Sequence, residues 1–261
     1  WASQRLTMPV ELLHVVQRSD AVASRGDLSG TIGLGVKTSL MEELVTLEAA
    51  DAKLKVERGR LLLAAAEKRL RDHGAVDVRV SHRHGGIVET ILEREEEARV
   101  VVIGKRGAGH EFATGHIGSM LERVVRGSTK PVFVAPREHT EPTSIVFAYD
   151  ASPAAKRALG RLIASDLFTD MPINLVMADT DNEAHRHSLS DAATRLGPDR
   201  SVTITLEQGK AESVISQVVE RTPGAMLMMG AYGHSPIRTL IVGSTTTTMI
   251  RTVHVPVLLV R

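Results

Sequence analysis

The feature that most constrains this chain is that it repeats itself. An apolar run ending in glycine, a glycine-containing loop, a Gly-Ser pair and a closing run that opens Pro-Val all occur twice. Gly104 recurs as Gly230, Gly118-Ser119 as Gly243-Ser244, and Pro131-Val132 as Pro256-Val257. Two copies of one α/β unit are the simplest reading. The runs Val100–Ile103 and Ala225–Met229 lack polar alternation, as expected of strands covered on both faces. Segments of helical character lie between the strands, so the pattern predicts parallel sheets with helices on both sides. The first domain is placed at 1–137 and the second at 144–261, joined by the polar stretch Pro136–Thr143.

Composition narrows the function classes. The 261 residues suffice for two domains with real cores. Thirty-two Lys and Arg balance thirty-one Asp and Glu, and aromatics make up only 3%. There is thus neither a basic footprint nor a set of stacking side chains for nucleic acid. The absence of cysteine removes disulfides, thiolate zinc sites and thiol catalysis, and no apolar run reaches membrane-spanning length. The expectation is a cytoplasmic protein with no nucleic-acid partner, no membrane span and no metal centre.

The chemistry is concentrated after the run 225–229. Gly230 and Gly233 allow backbone turns that other residues resist and leave no Cβ between chain and ligand. Gly243 does the same before a helix start, where Ser244 and Thr245 add hydroxyls beside unpaired first-turn N–H groups. Strand, loop and helix start in this order outline an anion site. Taken singly, each residue could be an ordinary turn glycine or cap. Asp150, just after the run Ile145–Tyr149, could equally be a turn residue ahead of Ser152-Pro153 or a carboxylate facing a ligand. No Gly-x4-Gly-Lys-Ser/Thr, nucleophile elbow or His-Glu-x-x-His occurs, so no catalytic residue is assigned.

The spacing Gly-x2-Gly-x9-Gly-Ser at Gly230, Gly233, Gly243 and Ser244, with Asp-x-Ser at Asp150, resembles the nucleotide-binding signature of the universal stress protein family. The resemblance covers nearly the whole chain. It implies two tandem, doubly wound, five-stranded parallel sheets of strand order 3-2-1-4-5, packed as a pseudo-dimer through the closing strands at Pro131 and Pro256. It also implies a stress-response regulator that binds ATP, or AMP or ADP, with Mg2+ as an optional companion, and that assembles as a homodimer with a further protein partner. Asp150 would lie on the nucleoside, and Gly230, Gly233, Gly243, Ser244 and Thr245 around ribose and phosphate. The rival readings are an adaptor that binds no nucleotide and, behind it, a slow ATPase.

The first copy departs from the pattern. Its loop between Gly107 and Gly118 is one residue longer, and Ser119 is followed by Met120-Leu121 rather than by threonines. Gly104, Gly107, Gly118 and Ser119 form a weaker candidate site, with Lys105 and Arg106 near the phosphates. The family's first strand and its aspartate have no counterpart ahead of Pro9–Val16, so that strand is expected from residues before Trp1 or from another chain.

Three further readings concern side chains. Leu40, Leu47, Leu54 and Leu61 recur every seven residues in a helix expected from Thr38 to His73, with Leu44 on the same side. The expectation is one stripe buried on a sheet, because Asp51 and Arg58 interrupt the second seam of a coiled coil. His82 and His84 are read as solvated loop residues, and the run Glu93–Glu97 as a solvated face. Residues Gln17–Lys37 are read as a long glycine-containing loop.

Overall fold

The computed structural model of the chain describes residues 1–17, 34–105, 119–138, 141–231 and 244–261. Contacts group the chain into two compact units, Trp1–Ile91 and Leu92–Arg261. This division does not coincide with the two sequence copies.

Unit 1 contains α1 (Ala2–Leu6), β1 (Val10–Val16), α2 (Leu34–Asp72) and β2 (Val78–His84), and it ends inside α3 (Ile87–Arg94). β1 and β2 run parallel, in register from Val10 opposite Val78 to Val16 opposite His84. His82 and His84 therefore belong to a strand, not to the expected loop, because pairing along the whole of β1 overrides the local run of polar residues. α2 begins four residues earlier than expected and stops where Gly74 takes φ +85°, with Ala75 N–H donating to the Leu70 carbonyl.

The leucine stripe is also corrected. α2 lies on β1 and β2, and the side that becomes buried carries Val56, Gly59, Leu63, Ala66 and Leu70. Leu47, Leu54 and Leu61 are 65–69% exposed. A seven-residue repeat shows that residues share a helix face, but it does not say which face meets the sheet. Gly59 sits where the helix crosses two imidazoles. A Cβ there would lie 2.6 Å from His14 Nδ1 and 2.7 Å from His82 Nε2. The two rings meet edge to face at 5.1 Å, and neither of these buried nitrogens has a hydrogen-bond partner among the described residues. Burial, then the neighbouring His82, holds the His14 pKa below its ordinary value of 6.5.

Unit 2 contains β3 (Val101–Gly104), α4 (Ser119–Gly127), β4 (Val132–Ala135), β5 (Ser144–Ala148), α5 (Pro153–Ile163), β6 (Ile173–Ala178), α6 (Glu183–Leu196), β7 (Val202–Glu207), α7 (Ala211–Arg221), β8 (Ala225–Gly230), α8 (Ser244–Thr252) and β9 (Val257–Val260). Seven strands form one sheet in the order β3-β4-β9-β8-β5-β6-β7. All neighbours are parallel except β4 and β9, which pair antiparallel with Phe133 opposite Leu258. The closing strands of the two copies thus join, as the resemblance implied. Counted within the second copy, the order from β7 to β9 reads 3-2-1-4-5.

The first copy makes no five-stranded sheet among the described residues. β1 and β2 stand in one sheet and β3 and β4 in another, because in a 3-2-1-4-5 order strand 1 is what links the two halves. That strand is not supplied by any described residue.

Central burial explains the apolar runs. Ile145, Val146 and Phe147 of β5 and Met226, Leu227 and Met228 of β8 are completely buried. Each such side chain contributes about 1.5–3 kcal/mol relative to exposure. Leu121 and Val125 of α4, Val214 and Val218 of α7, and Met249 and Ile250 of α8 share one core with these strands. α5 is set by its own sequence: Ser152 Oγ accepts from Ala155 N–H at 3.1 Å, Pro153 opens the first turn, and Ala154, Ala155, Ala158, Leu159 and Leu162 are buried.

The charge run 93–97 is not uniformly solvated. Glu95 is buried, and its carboxylate accepts from Thr129 N–H at 2.8 Å, from Thr129 Oγ1 at 3.0 Å and from the Ser128 hydroxyl. It pins the connection from α4 to β4. Glu95→Ala should cost about 2–4 kcal/mol by leaving these donors unpaired, read as a lower urea midpoint in far-ultraviolet circular dichroism; Glu95→Gln should cost less.

Unit 1 should be acid-sensitive. Its folded state holds His14 below the unfolded value of 6.5, so the unfolded chain takes up the proton first. The stability linked to His14 is complete above that value and falls as pH drops below it. Fluorescence of Trp1, the single tryptophan, should show a lower unfolding midpoint at pH 5.5 than at 7.5, and His14→Leu should flatten the difference.

Candidate functional site

At the carboxyl ends of β5, β6 and β8 the chain reverses its order across the sheet, from the β6–β7 side of β5 to the β8–β9 side. Such a switch point opens a crevice between divergent connections. Here it is a cavity of about 600 Å³ in unit 2. Four of the sequence-derived residues meet in its wall: Asp150 after β5, Gly230 at the end of β8, and Ser244 and Thr245 at the start of α8. Gly233 and Gly243 lie outside the described residues.

Asp150 is held by its own turn. Its Oδ1 accepts from Ser152 N–H at 2.9 Å, and Ala151 between them takes φ +57°. This is the turn ahead of α5, whose cap is Ser152, and Asp150 also borders the cavity. The turn reading of Asp150 is thus the one seen directly.

Gly230 has a further reason to be glycine. A Cβ on it would lie 2.7 Å from Ala155 N and 2.8 Å from the Ala154 carbonyl carbon. The room left by the missing side chain is taken by the first turn of α5, while the cavity meets Gly230 on another side.

The wall contains residues the sequence reading did not single out. Asp179 follows β6 as Asp150 follows β5, so the rule that finds one finds the other. Thr180 N–H donates to its carboxylate at 2.7 Å. This bond first, and the nearby His185 less strongly, hold the Asp179 pKa below the usual carboxylate value and keep the group anionic at neutral pH.

His185 Nε2 stands 3.8 Å from Asp179 Oδ2, and its Nδ1 lies 2.8 Å from the Thr180 carbonyl, which can only accept. The same Nδ1 lies 3.1 Å from Asn182 Nδ2. No sequence signal marked His185, because its position follows from Asn182 capping α6, where Asn182 Oδ1 accepts from His185 N–H at 2.8 Å. Ala148, Ala178, Ala184 and Ala211 add apolar wall, and Ser188 and Thr246 also line the cavity.

The first-copy candidates are only partly described. Gly104 ends β3 and Ser119 opens α4; Gly107 and Gly118 lie outside the described residues, as does Arg106. Lys105, expected near phosphates, donates from Nζ to the Val253 carbonyl at 2.6 Å and so bridges to the end of α8.

With the geometry described, comparison with known proteins decides the family. The model of the universal stress protein family matches residues 1–136 and 164–261. The chain belongs to the universal stress protein family. A universal stress protein of Synechocystis sp. is 33% identical over 270 residues, an alignment covering 100% of this chain and 92% of the relative. A crystal structure of a universal stress protein from Archaeoglobus fulgidus matches with a TM-score of 0.63 at 20% identity, over 99% of this chain and 88% of that one. A universal-stress-type protein from Pseudomonas aeruginosa matches at 0.60 and 13% identity, over 98% and 94%. These structural likenesses support the tandem α/β fold of this universal stress protein. Among the described residues no helix is long and apolar enough to cross a membrane, and no group of three or more His, Asp or Glu side chains converges on a metal position.

Gly230→Ala should force the first turn of α5 away from β8. The expected loss is about 1–3 kcal/mol, measured as a lower thermal midpoint.

Proposed function

We propose that this universal stress protein binds an adenine nucleotide, ATP or its mono- or diphosphate, in the second-copy cavity, and that occupancy biases a regulatory interaction in a stress response. The observation that carries the reading is the polarity of the cavity. Two carboxylates, Asp150 and Asp179, stand beyond β5 and β6, whereas the Ser244, Thr245 and Thr246 hydroxyls stand at the opening of α8. Carboxylates accept from amino and hydroxyl groups and repel phosphate; a helix start offers N–H donors to an anion.

A nucleoside phosphate has that same polarity, with donor groups on base and ribose and negative charge at the other end. The volume lies within the range of small-molecule sites, and the alanine walls suit a planar ring. Ser244 and Thr245 would hold the phosphates and any Mg2+ that accompanies them, and Asp150 the nucleoside. The bound nucleotide acts by shifting a conformational or partner-binding equilibrium rather than by being consumed quickly.

Calorimetric titration of the full chain with Mg-ATP, AMP and cyclic AMP tests this. One ATP per chain is expected. Asp150→Asn retains an oxygen that can accept from Ser152 N–H but removes the charge, so it should weaken binding about tenfold without lowering the thermal midpoint. Two sites per chain would bring the first copy into play. No binding to any of the three nucleotides would leave the adaptor reading in place.

A further inference from the structure

The exposed side of α2 is ordered like a helix interface. Leu47, Leu54 and Leu61 lie directly opposite the side that rests on β1 and β2, and Leu44, Met41 and Leu62 beside them are 42–51% exposed. Scattered exposed leucines are ordinary, but leucines repeating along one face for about 26 Å from Leu44 to Leu61, broken only by Asp51 and Arg58, are not. The spacing Leu44, Leu47, Asp51, Leu54, Arg58, Leu61 alternates three and four residues, the 3.5-residue period of a two-helix seam.

Asp51 and Arg58 identify the occupant. Against a parallel copy each would face its own like charge, and Glu43 would fall beside the partner's Glu48. Against an antiparallel copy, the register that sets Leu44 on the partner's Leu61 also sets Asp51 on the partner's Leu54 and Arg58 on the partner's Leu47. In that register Asp51 comes within about 6 Å along the axis of the partner's Arg58. The flanking positions agree: Glu48 meets the partner's Lys55, and Met41 meets the partner's Leu62. Two-fold symmetry makes every one of these pairs occur twice. In the single chain Lys55 pairs with Asp51 at 2.6 Å, and an exposed pair of this kind exchanges partners at little cost.

We propose that two copies of this protein associate through α2 as an antiparallel helix pair. The residues that argued against a coiled coil in the sequence are those that select its direction.

The test is sedimentation equilibrium of the full chain across a concentration series. A monomer–dimer equilibrium is expected, with the dissociation constant raised at least about tenfold by Leu54→Glu, which sets a carboxylate beside the partner's Asp51. Leu54 is 69% exposed, so circular dichroism should be unchanged. Asp51→Arg should weaken association, and adding Arg58→Asp should restore it.

Because the chain has no cysteine, direction can be read by oxidation. A mixture of Leu44→Cys and Leu61→Cys proteins should form the mixed disulfide, and Leu61→Cys alone should not cross-link. A monomer at every concentration, a dimer indifferent to Leu54→Glu, or self-cross-linking of Leu61→Cys would each overturn the proposal.

Discussion

The antiparallel pairing of β4 with β9 is the interaction on which unit 2 depends. Val132, Phe133 and Val134 lie opposite Leu259, Leu258 and Val257, and through them β3 and β4 become an extension of the second copy's sheet. Once the strands are joined, α4 and α8 cover one side of a common core, with Leu121, Val125, Met249 and Ile250 in it. Polar ties lock the seam. Arg261 Nη1 donates to the Arg126 carbonyl at 2.7 Å, Lys105 reaches the Val253 carbonyl, and Glu95 gathers Ser128 and Thr129. Because half of the first copy is held this way, compactness divides the chain at residue 91 rather than at the linker between the repeats.

The cavity inherits its shape from the same sheet. Its floor is the ends of β5, β6 and β8, which are positioned by completely buried neighbours, so the two aspartates and the start of α8 stand on rigid elements. Gly230 joins packing to site. By letting the first turn of α5 approach the end of β8, it fixes where Ser152 caps that helix, and Ser152 N–H in turn holds Asp150. A side chain at Gly230 would disturb the cavity through α5 even without entering it. Glycine at this position therefore has a structural explanation independent of any ligand, and the proposed nucleotide site rests on the polarity of the wall rather than on the glycine.

Much of unit 2 was legible because burial on both faces writes itself as uninterrupted apolar runs: β5, β8 and β9 stand where those runs predicted them. Caps were equally readable, since Ser152-Pro153 determines a helix start by local chemistry. What was not legible depends on partners distant in sequence. Glu95 could not be told from Glu93, Glu96 and Glu97, because only the placement of Ser128 and Thr129 turns one of them inward. β2 was cut short because Ser81-His82-Arg83-His84 has loop composition, and its pairing with β1 is a tertiary fact. His185 depended on a turn geometry that no motif announces. Of the cavity wall, Asp150, Gly230, Ser244 and Thr245 carry the family resemblance in the sequence, whereas Asp179 needs the strand-end rule to be applied a second time.

Unit 1 shows why the outer face of α2 matters. Among the described residues of unit 1, the two-stranded sheet with α2 on it encloses few apolar side chains: Val15, Val16, Leu63, Val78 and Val88 are buried. Part of the contact with α2 is made by imidazoles that Gly59 admits, which adds polar atoms without hydrogen-bond partners instead of apolar area. A helix of 39 residues gains most of its stability from packing. The side of α2 on the sheet provides modest packing, while its leucines point away. An antiparallel partner helix covers those leucines. The burial that association adds lies on the outer side of α2, apart from the contacts that this helix makes with β1 and β2.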